Sequence, residues 1–189
     1  MKITLLGDSI RLSYAPSVAQ LLGEEFEVFS PEDNCRFSKY TLRGLFDWKG
    51  QMAGSRIVHW NNGLWDMCDL FDDGPFCTKE EYLTNMLKIA GILTRRYDKV
   101  IFATTTPVNP KNSHDRNDVI REYNAFLVQY LKEMGIIIND LRSVVYPHID
   151  EYICDDYIHL TPAGVKACGE QVARVIWEVV EGLKQNEKL

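Results

Sequence analysis

Short apolar runs recur along this chain, and between them lie stretches with helical spacing; that alternation limits the fold to a sheet whose strands are joined by helices. The runs cover residues 3–6, 26–29, 56–60, 99–104 and 136–138. They are too short for buried helices, and the nearly unbroken apolar run at 3–6 fits a parallel strand covered on both faces. The first intervening stretch places Leu12, Ala15, Val18, Ala19, Leu21 and Leu22 on one helical stripe, with Pro16 expected in its first turn and Gly23 as its C-cap. Residues 30–40 read as a polar loop, followed by a short helix carrying Leu42, Leu45, Phe46 and Trp48, and residues 66–74 read as an acidic loop. Thr78 and Glu81 form a capping box that opens a helix with Tyr82, Leu83, Met86, Leu87, Ala90 and Leu93 on its inner stripe. A further helix is marked by Val119, Ile120, Tyr123, Leu127, Tyr130, Leu131 and Met134, and a closing helix begins at Pro162 and runs to about Leu183. Right-handed crossovers turn this order into a three-layer α/β/α sandwich with a mainly parallel sheet of about five strands. No linker, repeat or low-complexity segment interrupts it, so residues 1–189 are expected to form one domain.

Bulk properties narrow the function. The net charge of −6 leaves no basic face to displace counterions from phosphates, so no nucleic-acid partner is expected. The five cysteines are odd in number and show no CxxC spacing, which points to reduced thiols in a cytoplasmic setting. After Met1-Lys2 the apolar stretch is too short for a signal-peptide core, and neither export nor a membrane partner is expected. No cofactor or metal is called for, and the sequence is silent on oligomeric state.

In parallel sheets the chemistry collects at the carboxyl ends of the strands. At the end of the first run stands Gly7-Asp8-Ser9-Ile10, where Ser9 is delivered on a tight turn at the start of a helix. Taken alone, Asp8 or Ser9 reads as a helix cap as readily as a nucleophile. Near the other end, Asp156-Tyr157-Ile158-His159 precedes Thr161 and Pro162, an N-cap and first helical residue. There His159 suits a general base, and Asp156 or Asp155 could orient it. Asn61-Asn62-Gly63 closes the third run on the same edge, where a side-chain amide could donate to an oxyanion beside the Ser9 backbone N–H.

The order Gly-Asp-Ser-Ile, Asn-Asn-Gly, Asp-x-x-His resembles the SGNH hydrolases, the GDSL esterase/lipase family, over the whole chain. The resemblance implies a flavodoxin-like sandwich, a Ser9–His159–Asp156 triad, and Asn62 as an oxyanion donor with Asn61 as the alternative. The family's second block contributes a glycine N–H; here Asn34-Cys35-Arg36-Phe37-Ser38-Lys39 has no glycine, so Lys39 or Ser38 could serve through the backbone, with Gly44 a little further on. The family's Gly-x-Asn-Asp appears as Trp60-Asn61-Asn62-Gly63.

The expected function is therefore a serine esterase acting on a small-molecule ester through an acyl-enzyme. Trp48, Trp60 and Trp65 beside Arg36, Asn61, Asn109 and the Thr104-Thr105-Thr106 cluster make an O-acetylated carbohydrate an attractive substrate, although tryptophans at such places also serve as core anchors. Asn61, Trp65 and Arg36 are the candidate substrate contacts, and Arg36 could instead pair with Asp33. Two alternatives stand beside this: a metallophosphoesterase using Asp8, Asn62, Asp156 and His159, and a non-catalytic flavodoxin-like binding domain.

Overall fold

The structure, a computed structural model, describes residues 1–186. Five strands form one sheet: β1 (Lys2–Leu6), β2 (Glu27–Phe29), β3 (Ser55–Trp60), β4 (Lys99–Ala103) and β5 (Ile137–Asn139). All neighbours are parallel, in the order β2-β1-β3-β4-β5. Between and after them lie the helices α1 (Ser9–Leu22), α2 (Ser38–Asp47), α3 (Leu64–Met67), α4 (Lys79–Thr94), α5 (Asn117–Glu133), α6 (Leu141–Val145), α7 (Ile149–Tyr152) and α8 (Pro162–Asn186), with a 3₁₀ turn at Tyr146–His148 before α7.

The strand order reverses direction once. From β1 the chain steps outward to β2, then returns past β1 to β3 and continues to β4 and β5. With right-handed crossovers this puts α1 on one face and α4 and α5 on the other; α8 packs on α1, and α2 packs on α4. The crevice of such a sheet opens where the order reverses, beyond the carboxyl ends of β1 and β3. Their register pairs Leu6 with Trp60, so the residues that follow, Gly7 and Asn61, leave the sheet side by side, and Asn61 N–H donates to Leu6 C=O at 3.1 Å. Beneath them Leu5, Ile57, Ile101 and Trp60 are completely buried, with the Trp60 ring edge-on to Phe102 at 4.9 Å between centroids. Burying side chains of this size contributes about 2 kcal/mol each, enough to hold the crevice's floor rigid.

Three local expectations need correcting. Pro16 lies inside α1, well beyond its first turn; it is exposed, so the Leu12 carbonyl left without an N–H partner faces the solvent side. The polar loop ends early, because α2 already begins at Ser38 and Trp48 is its C-cap. The acidic loop begins late, after α3 has taken up Asp66. The capping box is formed in full, with Thr78 accepting from Glu81 N–H and Glu81 accepting from Thr78 N–H.

Candidate active site

Ser9 is the first residue of α1, and the turn that presents it is fixed from below. Asp8 caps the helix: its Oδ1 accepts from Ile10 N–H and from Asn61 Nδ2, each at 3.0 Å. Asn61 Oδ1 in turn accepts from the Tyr14 hydroxyl at 3.2 Å. A Cβ on Gly7 would stand 2.0 Å from Asn61 Oδ1, so glycine is what lets β1 and β3 approach this closely. Arg11, on the inner face of α1, is completely buried. Its guanidinium donates to the carbonyls of Gly7 (2.9 Å), Pro31 (2.6 Å) and Asp33 (2.8 Å) and to Ser30 Oγ (2.7 Å), binding the turn to the loop after β2. Desolvation raises the Asp8 carboxyl above its ordinary range, partly offset by the bonds from Asn61 and Ile10 and by the Arg11 charge.

From the far end of the chain, His159 reaches Ser9. Its Nε2 lies 2.9 Å from Ser9 Oγ, and its Nδ1 lies 2.7 Å from Asp156 Oδ2. A carboxylate only accepts, so Nδ1 carries the proton and Nε2 is left as acceptor for the serine hydroxyl. It is Asp156 and not Asp155 that meets the imidazole. The same carboxylate closes its own turn, Oδ1 accepting from Ile158 N–H (3.0 Å) and His159 N–H (2.9 Å). Burial works to raise the Asp156 carboxyl, but those two N–H groups and the His159 ring outweigh it and hold it below its usual value. Tyr157 between them adopts a left-handed backbone (φ 69°), and an isolated bridge pairs Ile153 with Leu160 at the base of the loop. Thr161 caps α8, its Oγ accepting from Gly164 N–H at 3.2 Å. The imidazole and carboxylate remain open to solvent, their side chains 47% and 49% exposed.

Just past the end of β3, Asn62 is completely buried and its amide is locked in orientation: Oδ1 accepts from Trp60 Nε1 (3.1 Å) and Nδ2 donates to the Arg36 carbonyl (2.8 Å). An amide has two N–H bonds, so one remains for another acceptor. Its backbone carbonyl is held by the Tyr82 hydroxyl (2.8 Å) and Thr105 Oγ (3.1 Å). At the start of α2, Ser38 N–H goes to Asp66, and the N–H groups of Tyr40 and Thr41 go to the Phe37 carbonyl. Lys39 N–H has no partner among the described residues. Gly44 lies within α2, with the Trp48 ring where a Cβ would sit.

The candidate substrate contacts divide. Asn61 is buried and turns its amide toward Asp8 and Tyr14. Trp60 is core and Trp48 packs on α2, whereas Trp65, three residues beyond Asn62, is 42% exposed. Arg36 adopts φ 49° and lies over the Tyr40 ring at 4.8 Å, with Asp33 at 4.0 Å. Sequence reasoning missed Arg11 and Asp66, both fully buried charges within hydrogen-bond reach of the turns just described. No group of three or more His, Cys, Asp or Glu among the described residues is placed to hold a metal ion. His59 is a core histidine, 3.2 Å from Asn139 Nδ2, and burial pushes its pKa down to about 3. All five cysteines are free thiols, and no helix among the described residues is long and apolar enough to cross a membrane.

A doubly wound parallel sheet with serine, imidazole and carboxylate meeting on its carboxyl edge is the SGNH hydrolase fold. No protein-family model matches the chain. It is 30% identical over 120 residues to a GDSL esterase/lipase of Oryza sativa subsp. japonica, a stretch that covers 56% of this chain and 46% of that protein. The chain thus spans about half the length of that relative. Among solved structures, a lipase/acylhydrolase from Enterococcus faecalis superposes with a TM-score of 0.73 at 21% identity, over 93% of this chain and 94% of the other. An acetylxylan esterase from Geobacillus stearothermophilus gives 0.75 at 15% identity, over 92% of each chain. The chain is thus similar in sequence to a GDSL esterase/lipase and shares the fold of lipase/acylhydrolase and acetylxylan esterase structures.

Proposed function

We propose that this protein is a serine esterase that hydrolyses small acyl esters through an acyl-enzyme on Ser9, with an O-acetylated carbohydrate as the substrate class. The observation that carries the reading is the continuous relay from Ser9 Oγ to His159 Nε2 at 2.9 Å and from His159 Nδ1 to Asp156 at 2.7 Å. As Ser9 Oγ bonds to the acyl carbon, its proton passes to Nε2, and Asp156 stabilises the imidazolium that forms. The carbonyl oxygen becomes an oxyanion, for which the second N–H of Asn62 and the backbone N–H groups of Ser9 and Lys39 are the donors. Collapse expels the alcohol, which takes the proton from Nε2. Water then attacks the acyl-enzyme, giving its proton to the same nitrogen, and Ser9 is released with the carboxylic acid.

A sugar ester is supported by three observations. The imidazole and carboxylate are half exposed, leaving room for a bulky alcohol; Trp65 offers an exposed ring beyond Asn62; and structures of similar fold include acetylxylan esterases. Ser9→Ala is expected to abolish turnover of p-nitrophenyl acetate and of acetylated xylooligosaccharides, and to abolish covalent labelling by a fluorophosphonate. Retained turnover in Ser9→Ala would sink the assignment. Turnover of the phenyl ester without any acetylated sugar would remove the substrate class alone.

A further inference from the structure

Two of the three proposed oxyanion donors, Asn62 and Lys39, sit on separate segments, and one buried carboxylate ties those segments together. Asp66 lies on α3, four residues after Asn62, and is completely buried. Among the described residues it has no cationic partner. Instead it caps α2 from outside that helix: Ser38 N–H reaches Oδ2 at 2.9 Å and Oδ1 at 3.1 Å, and Ser38 Oγ lies 2.6 Å from Oδ1. An ionised carboxylate only accepts, so the Ser38 hydroxyl is the donor in that last bond, while its oxygen accepts from Asn85 Nδ2 at 3.1 Å. The Cys77 side chain also bonds to Asp66, and Cys77 N–H bonds to the Asp66 backbone carbonyl at 2.8 Å. Phe37, the residue at the cap position itself, supplies no side-chain bond.

Two grips therefore hold the loop entering α2. Asn62 takes the Arg36 carbonyl at 2.8 Å, and Asp66 takes the Ser38 N–H, one residue to either side of Phe37. The next amide is that of Lys39, which has no partner among the described residues. We propose that Asp66 is a positioning residue that sets the spacing between the Asn62 and Lys39 oxyanion donors, and so acts on the tetrahedral transition state and not on substrate binding. The inference rests on the esterase reading above.

The cost of keeping a carboxylate there supports it. Burial pushes the Asp66 pKa up to about 6 despite the Ser38 donors, so the ionised form is held at some expense of stability, where an apolar residue of similar size would be cheaper. A carboxylate can accept every donor that meets it, whereas an asparagine must turn its NH₂ toward one of them.

The test is Asp66→Asn, assayed beside Ser9→Ala. Losing one oxyanion donor outright costs about a hundredfold or more in kcat, so displacing one is expected to lower kcat by about tenfold or more, with KM for p-nitrophenyl acetate within about twofold. Phenylboronic acid, which forms a tetrahedral adduct on a reactive serine, should lose affinity by a similar factor, a change that mere loss of stability does not produce in folded protein. Unchanged kcat and unchanged boronate affinity in folded Asp66→Asn would overturn the inference. If Asp66→Ala fails to fold, the near-isosteric Asn variant still decides. Should Ser9→Ala retain turnover, it is the esterase reading that fails; should Ser9→Ala be dead and Asp66→Asn fully active, only the positioning role fails.

Discussion

Asp8 and Asp156 stand on opposite sides of the Ser9–His159 pair and are held in opposite ways. Asp8 is 1% exposed, its pKa is raised by desolvation, and it is pinned by Asn61 from a neighbouring strand. Asp156 is half exposed, its pKa is lowered, and its bonds come from its own turn and the imidazole. The turn that carries Ser9 is thus placed by tertiary packing, and the loop that carries His159 by local hydrogen bonding. Damage on the Asp8 side should therefore appear as lost stability, and damage on the Asp156 side as lost activity in a protein that stays folded.

The sharpest way to break that contrast is Arg11→Ala. It strips donors from three backbone carbonyls and leaves them buried beside an Asp8 carboxylate that has lost its cation. A loss of about 3–5 kcal/mol is expected in urea denaturation, with activity lost only as the protein unfolds. A loss under about 1 kcal/mol would show that the turn does not depend on tertiary packing. On the other side, Asp156→Asn keeps an oxygen for the N–H groups of Ile158 and His159 but turns an NH₂ toward His159 Nδ1. The imidazole then carries its proton on Nε2 and cannot accept from Ser9, so kcat should fall by about 10²–10⁴-fold while stability changes by less than about 1 kcal/mol. Large unfolding in Asp156→Asn would erase the distinction between the two sides.

The same contrast explains what could be read from the sequence. The layered fold was legible because strand runs and helical stripes differ in period, and the Asp156–His159 turn was legible because its bonds join residues close in the chain. The bonds of Asn61 to Asp8 and Tyr14 were not legible, because these partners are distant in sequence and a turn-forming Asn-Asn-Gly looks the same whether its amide faces inward or outward. Arg11 left a trace that went unused: it falls on one helical stripe with Tyr14, Ala15, Val18 and Leu22, a charge at core spacing that calls for acceptors. Asp66 left none, because its acidic surroundings in the chain suggest solvent, and only the fold brings Ser38 and Cys77 to it.

The smallest effect sharpens the electrostatic half of the comparison. Asp115, ahead of α5, belongs to the buried kind: it is 6% exposed, Oδ1 has no partner among the described residues, and desolvation raises its pKa to about 6 from the ordinary 3.8. The His114 charge eases the shift and the Asp8 charge adds to it. With the folded value above the unfolded one, the folded state binds the extra proton. This contribution to stability is complete below about pH 4 and is lost as the pH rises through about 6. At pH 7 the buried carboxylate is therefore a cost, and Asp115→Asn removes the charge that incurs it. Relative to the wild type, the variant should gain about 2–3 kcal/mol in urea denaturation between pH 4 and pH 7. A gap between the two proteins that stays constant over that range would mean that Asp115 titrates alike folded and unfolded, which would remove it from the buried kind that Asp8 represents.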